Sequence, residues 1–176
     1  MVKRPLRSIL LATGFAALAA PAWAVVDKKT SATPVAVATP TAPIPASALL
    51  DVGIPPLNDG LHLTDEDDTV FPEVRYAEAI YFSNQLAKTM ERSGAWGAVR
   101  VTPSMDVVKD LYVTGTILQS DGETLDMQIE VVDAAGVKWL SRRYAHTVGK
   151  YAYDRRLKNL GDPFQNLFTR IANDIL

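Results

Sequence analysis

The segment Thr124–Asp133, "TLDMQIEVVD", constrains the fold of this chain more than any other. Leu125, Met127, Ile129 and Val131 recur at every second position, with Asp126, Gln128 and Glu130 between them. Successive side chains of an extended chain point to opposite faces, so this period predicts a strand with one apolar and one wet face. Asp121-Gly122-Glu123 precedes it and Ala134-Ala135-Gly136 follows it. These are turn sequences. They join it to strands at Leu111–Ser120 and Val137–Val148, and the three read as two tight hairpins. The third strand is less regular. Trp139 stands beside Leu140 and ahead of Arg142-Arg143, which predicts a bulge or an edge position.

A sheet with one apolar face has to be covered. Pro72–Ser93 supplies a cover: Ala79, Phe82, Leu86 and Met90 form a stripe at helical spacing, which Tyr76, Ile80 and Ala87 widen. Pro72 suits the first turn, Glu73 suits the positive end of the helix dipole, and Gly94 suits a left-handed stop. A second helix is predicted in "DPFQNLFTRIANDIL", with Asp162 as N-cap and Pro163 next to it. Its stripe is Phe164, Leu167, Phe168, Ile171 and Ile175. Short strands are expected at Ala48–Ile54, which ends at Pro55-Pro56, and in "AVRVTP" (98–103). A helix between two strands implies a crossover and a parallel pair. The fold class is therefore α/β (α+β). It is a two-layer sandwich with a mixed, mostly antiparallel sheet of about five strands and two helices on one face. In "SGAWGAVRV", Gly94 ends the helix, Gly97 lets the chain swing into the strand, and Trp96 covers the end of the core. Gly94, Trp96 and Gly97 are thus a structural corner.

Domain organisation follows from composition. Lys3, Arg4 and Arg7, then "SILLATGFAALAA", then Ala22-Trp23-Ala24 form the three parts of a cleavable secretory signal at 1–24. The apolar run falls short of the about 20 residues that a membrane span needs. Residues 25–47 are rich in Pro, Ala and Thr and read as a flexible linker that cannot pack. Residues 48–176 form a single domain. The expected location is the periplasm. With no cysteine in the chain, neither a lipoprotein anchor nor disulfides are available, so a core must hold the fold. Without the three basic residues of the leader, 15 of the 18 remain against 20 acidic ones. That acidic balance argues against a nucleic-acid partner.

Little in the chain points to catalysis. The two histidines, His62 and His146, stand apart, and no Gly-x-Ser-x-Gly elbow accompanies them. "HLTDEDD" (62–68) is the densest acidic cluster, but it lacks the alternating ligands and distal Glu of a calcium loop. A metal-dependent hydrolase built on His62, Asp65 and Asp67 is the alternative reading of that loop. No phosphate-binding glycine motif is present. The expectation is a non-enzyme with no cofactor and no metal. Lys138, Arg142, Arg143, Lys150, Arg155, Arg156 and Lys158 are the one basic concentration, which reads first as a solvated face. Arg142, Arg143, Tyr151 and Tyr153 are the candidate interface within it.

The element order, with "LAKTMERSGAWGAVRV", "DLYVTGTI", "VVDAAGVKWLSRRY" and "DPFQNLFTRIANDIL", resembles a group of bacterial envelope domains. These are the amino-terminal domain of TolB, the LpoB-type activators and the CsgG-like lipoproteins. The chain is also similar to the front module of longer proteobacterial secreted proteins. The resemblance covers roughly residues 48–176. It implies a non-catalytic role, docking onto an envelope protein or complex. A homo-oligomerising structural subunit is the alternative.

Overall fold

The computed structural model describes residues 26–29, 33–63, 70–149, 152–153 and 161–176. The signal segment, the acidic stretch 64–69 and most of the basic connection fall outside these residues. In chain order the elements are β1 (Val26–Lys29), β2 (Val52–Ile54), α1 (Pro72–Glu91), β3 (Val99–Val101), β4 (Leu111–Ser120), β5 (Thr124–Asp133), β6 (Lys138–Thr147) and α2 (Gln165–Ile175). Single 3-10 turns occur at Ala46–Ala48 and Leu61–Leu63.

The sheet runs β1-β6-β5-β4-β2-β3. The expected meander is present: β4, β5 and β6 pair antiparallel through the two short turns. The expected crossover is present too. β2 lies parallel to β3, with Val52 opposite Val99, and on its other side parallel to β4, with Val52 opposite Leu111. This is the two-layer α/β sandwich with a mixed sheet. To the five expected strands the structure adds β1, parallel to β6 with Val26 opposite Arg143. β1 falls inside the tract read as linker. The rest of that tract also departs from a free spacer, because residues 33–38 lie along α2, held there by two asparagines.

One face of the sheet is the core. Leu111, Val113, Ile117, Leu125, Met127, Ile129, Val131 and Tyr144 are buried there under α1 and α2. Phe82 of α1 meets Phe168 of α2 with ring centroids 5.9 Å apart, which joins the two helices over the sheet. The α2 stripe is buried as expected, and so are Ala79, Phe82, Leu86 and Met90 of α1. Tyr76 corrects the reading of α1: it is 63% exposed. The inward position one residue earlier belongs to Arg75, whose buried guanidinium bonds the Ser120 carbonyl and the Glu78 carboxylate. A polar residue heads the stripe, so apolar periodicity misplaces its start by one residue.

Helix ends follow local chemistry. Gly94 has φ +66°, the left-handed conformation expected after α1. Asp162 corrects the reading of α2: the helix begins at Gln165 with Phe164 at its N-cap and no side-chain cap bond, and Asp162 Oδ1 instead accepts the Phe164 amide at 2.7 Å in the turn before it. In β6 the register jumps: Val131 faces Leu140, while Val132 faces Lys138. Trp139 is the extra residue of a bulge, as its neighbours suggested.

Candidate interaction surfaces

The sheet face turned away from the helices is built from the alternate residues of β4, β5 and β6. Tyr112, at one end, is covered by the loop that follows β3: its hydroxyl donates to the Val107 carbonyl and accepts the Lys109 amide. Beyond it the face is cross-linked by side chains; it is exposed at Lys138 and Ser141 and closed at its other end, where Asp126 and Ala145 are buried. Arg143 forms a bidentate pair with Asp126, at 2.9 Å from Nε and 2.8 Å from Nη2. Gln128 donates to Ser141, Ser141 donates to Glu130, and Lys138 pairs with the same carboxylate at 2.7 Å. The Trp139 indole donates to Asp133 at 3.0 Å, and the ring is 53% exposed. Asp133 also accepts the amides of Ala135 and Val137, so one carboxylate sets both the turn and the tryptophan.

These bonds set the electrostatics of the face. The Glu130 carboxyl is held below its usual range, first by the hydrogen bond from Lys138 and against a desolvation penalty. Asp133 is lowered chiefly by the Val137 amide and then by the Trp139 indole. Arg143 is pushed up by its hydrogen bonds to Asp126. The face is therefore fixed in charge at neutral pH and held in geometry by its own side-chain bonds. Chemically it offers an aromatic ring, a guanidinium and an array of hydroxyl and amide groups, which are residue types suited to protein contacts.

A second concavity, of about 730 Å³, lies where the start of α1 meets the β4–β5 turn. Val70, Phe71 and Val74 line one side and Gln119–Gly122 the other, with Arg75 and Glu78 at the base. Arg75 Nη1 is buried and has no hydrogen-bond partner among the described residues. Its Nε meets Glu78 at 3.3 Å, and Ser120 Oγ donates to the same carboxylate at 2.8 Å. The charges at the base of this cleft cancel, and the group ties helix to strand.

The corner after α1 is organised by Asp51. Its Oδ1 accepts the Ala98 amide at 2.7 Å, and its own amide donates to Asp110 at 2.7 Å. The Ala98 bond is the main cause that lowers the Asp51 pKa. Gly97 donates to the Leu50 carbonyl, and a Cβ there would stand 2.6 Å from Asp51 Oδ1. Gly97 is thus required by close approach. Trp96 is half-buried and packs against the core cluster, with its indole N–H enclosed and unbonded among the described residues.

The candidate interface residues are not brought onto one surface. Arg143 stands on the open face. Arg142 stands on the helix side, where it pairs with Asp174 of α2 at 2.9 Å and lies over the Tyr144 ring. Neighbours on a strand point oppositely, and the bulge leaves that rule intact beyond Leu140. Tyr153 is exposed and donates to the Gly122 carbonyl, which ties the connection back to the β4–β5 turn. Tyr151, Lys150, Arg155, Arg156 and Lys158 fall outside the described residues. So do Asp65 and Asp67, the acids of the alternative metal site; His62 is exposed. His146 is only 3% exposed and stacks edge-on to Phe164 with centroids 6.3 Å apart.

The asparagine contacts on α2 were not foreseen. Asn166 donates to the Thr33 carbonyl at 3.0 Å and accepts the Val35 amide at 2.9 Å. Asn173 donates to the Ala36 carbonyl at 3.0 Å and accepts the Ala38 amide at 2.8 Å. One trace of this was available in the sequence: Pro34, Pro40 and Pro43 share a single frame of a three-residue repeat.

The geometry defines a two-layer α/β sandwich with one helix-covered and one open sheet face. A solved structure is similar to it in fold. A Xanthomonas campestris protein of the DUF330 family superposes with a TM-score of 0.50 at 11% identity, over 86% of this chain and 92% of that one. Two further bacterial structures align with lower scores. The PelC dodecamer of Paraburkholderia phytofirmans gives 0.40 at 14% identity, over 70% of this chain and 80% of that one. A hypothetical protein of Chlamydia trachomatis gives 0.44 at 11% identity, over 71% and 92%. No family model matches the sequence, and neither does any curated protein.

Proposed function

We propose that this chain is a non-catalytic docking or assembly module of the bacterial cell envelope, exported by its leader, which binds an envelope protein through the open face of its sheet. The observation that carries this reading is the ladder Lys138–Glu130–Ser141–Gln128 with Arg143–Asp126 and Trp139–Asp133. Side chains held in place before binding lose less entropy when a partner arrives. The resemblance of the element order to TolB amino-terminal, LpoB-type and CsgG-like domains agrees with this reading.

The test exploits the absence of cysteine from the chain. Ser141→Cys places a sole thiol on the open face, and Lys88→Cys places one on the exposed side of α1. Each variant is exported in living cells and treated with a thiol-linked photocrosslinker. The expected result is an adduct to a second envelope protein from position 141 and none from position 88. An adduct of twice the chain's mass supports the homo-oligomeric subunit instead. Equal yields at both positions, or none at 141, would overturn the proposal.

A further inference from the structure

The cleft at the start of α1 gathers hydrogen-bond donors that have no acceptor among the described residues. Pro72 opens the helix, Phe71 is its N-cap, and no side chain caps it. The Arg75 amide bonds the Phe71 carbonyl, while the amides of Glu73 and Val74 meet no acceptor. First-turn amides have no partner within their own helix and need one from outside it. A second group at the same place has the same need. Arg75 is 4% exposed, and its Nη1 is buried without a partner at the base of the cleft. The rest of the guanidinium is loosely held: Nη2 reaches the Ser120 carbonyl at 3.4 Å and Nε the Glu78 carboxylate at 3.3 Å. Strong charge-assisted bonds are shorter, about 2.7–2.9 Å, so the guanidinium is free to turn toward an added acceptor. A buried donor left unbonded carries the full cost of its desolvation, which such an acceptor relieves.

The surroundings select the kind of acceptor. Both carboxylates that line the cleft are already engaged. Glu78 takes Arg75 Nε and Ser120 Oγ, and Asp121 takes the Glu123 and Thr124 amides and the Gln119 carboxamide. Glu73, in the first turn, answers the positive end of the helix dipole. One guanidinium among these acids leaves no surplus of positive charge, so a ligand carboxylate or phosphate meets repulsion and an uncharged carbonyl does not. Beside the donors stand Phe71 and Val74, large apolar side chains on the cleft wall that are 63% and 56% exposed. The volume, about 730 Å³, falls in the range of sites that enclose a small ligand. We propose that this cleft binds a neutral amide carbonyl joined to an apolar side chain, the chemistry of an uncharged internal peptide unit. The carbonyl takes Arg75 Nη1 and the α1 amides, and the apolar chain lies against Phe71 and Val74. The site shares no residue with the open-face ladder and does not depend on it.

Three small probes test the assignment through amide chemical shifts of the isotope-labelled protein. N-acetyl-leucinamide is neutral, N-acetyl-leucine is its carboxylate counterpart, and acetamide lacks the apolar chain. The neutral leucine probe is expected to shift the Glu73, Val74 and Gly122 amides with a Kd of about 1–10 mM, a usual strength for so small a ligand. The other two are expected to bind at least about tenfold more weakly. Phe71→Ala, at an exposed position, is expected to leave the unfolding midpoint in place and to weaken binding about tenfold. Arg75→Met keeps the buried stem but removes the donors, and is expected to weaken binding by at least as much; if it also lowers the midpoint, Phe71→Ala decides. The proposal is overturned if the neutral leucine probe shifts none of these amides at about 50 mM, if either of the other probes binds as tightly, or if Phe71→Ala binds like wild type.

Discussion

The two faces of the sheet are ordered by different physics. On the covered face, apolar side chains from β2 to β6 and both helices exclude water and set the register, with only isolated polar groups such as Ser83 and Arg75 among them. On the open face, order comes from a chain of hydrogen bonds and ion pairs among polar residues, all but Asp126 at least partly exposed. Burial is non-directional and strong, and it chooses the fold. Exposed polar pairs are directional and individually weak. They add little to stability and leave the surface in one defined arrangement.

This contrast sets a ranking of effects. Phe168→Ala removes the ring that joins α1 to α2 over the sheet, and is expected to cost about 3–5 kcal/mol in denaturant unfolding. Trp96→Ala opens a gap at the end of the same core, and is expected to cost about 2–3 kcal/mol, less than the full ring because the side chain is only half-buried. Losses below about 1 kcal/mol for both would mean that the covered face is not what holds the fold.

On the open face, Arg143→Ala leaves the buried Asp126 carboxylate without its partner. Its expected cost is about 1–3 kcal/mol, between that of an exposed and a buried pair. Acid acts more gently. Glu130, Asp133 and Asp51 have folded-state pKa values below their ordinary ones. Such groups contribute stability above their unfolded pKa values, and that contribution is lost as pH falls through the folded values. Unfolding midpoints are therefore expected to be level from about pH 7 to about pH 5 and to decline below about pH 4. A midpoint that rises with acidification would contradict the role assigned to these carboxylates.

Much of this arrangement is legible in the amino-acid order. The strands Leu111–Ser120 and Thr124–Asp133 stand residue for residue where alternation and turns place them, because a one-residue shift along the pair would turn the buried side chains to the wet face; the one irregularity, at Leu118, lies near the end of the pair. Ala79, Phe82, Leu86 and Met90 lie where helical spacing puts them. Tyr76 does not, because a buried arginine takes the inward position and reads as polar in any hydrophobic pattern. The open-face ladder is not legible either. Which side chains meet across β5 and β6 depends on the one-residue slip at Trp139, and a suspected bulge does not supply its register. The grip of α2 on residues 33–38 is hidden for another reason. Asn166 and Asn173 recognise backbone atoms, which every sequence has, so only the spacing of prolines betrays the contact.

The claim that the open face is for binding rests most directly on Trp139. Trp139→Ala removes an exposed ring and one hydrogen bond, so its expected cost in stability is below about 1 kcal/mol. The decisive measurement is crosslinking yield from Ser141→Cys with and without Trp139→Ala, alongside thermal unfolding of both chains. The account predicts nearly unchanged unfolding and loss of most of the adduct. An adduct at undiminished yield from a chain lacking Trp139 would contradict it.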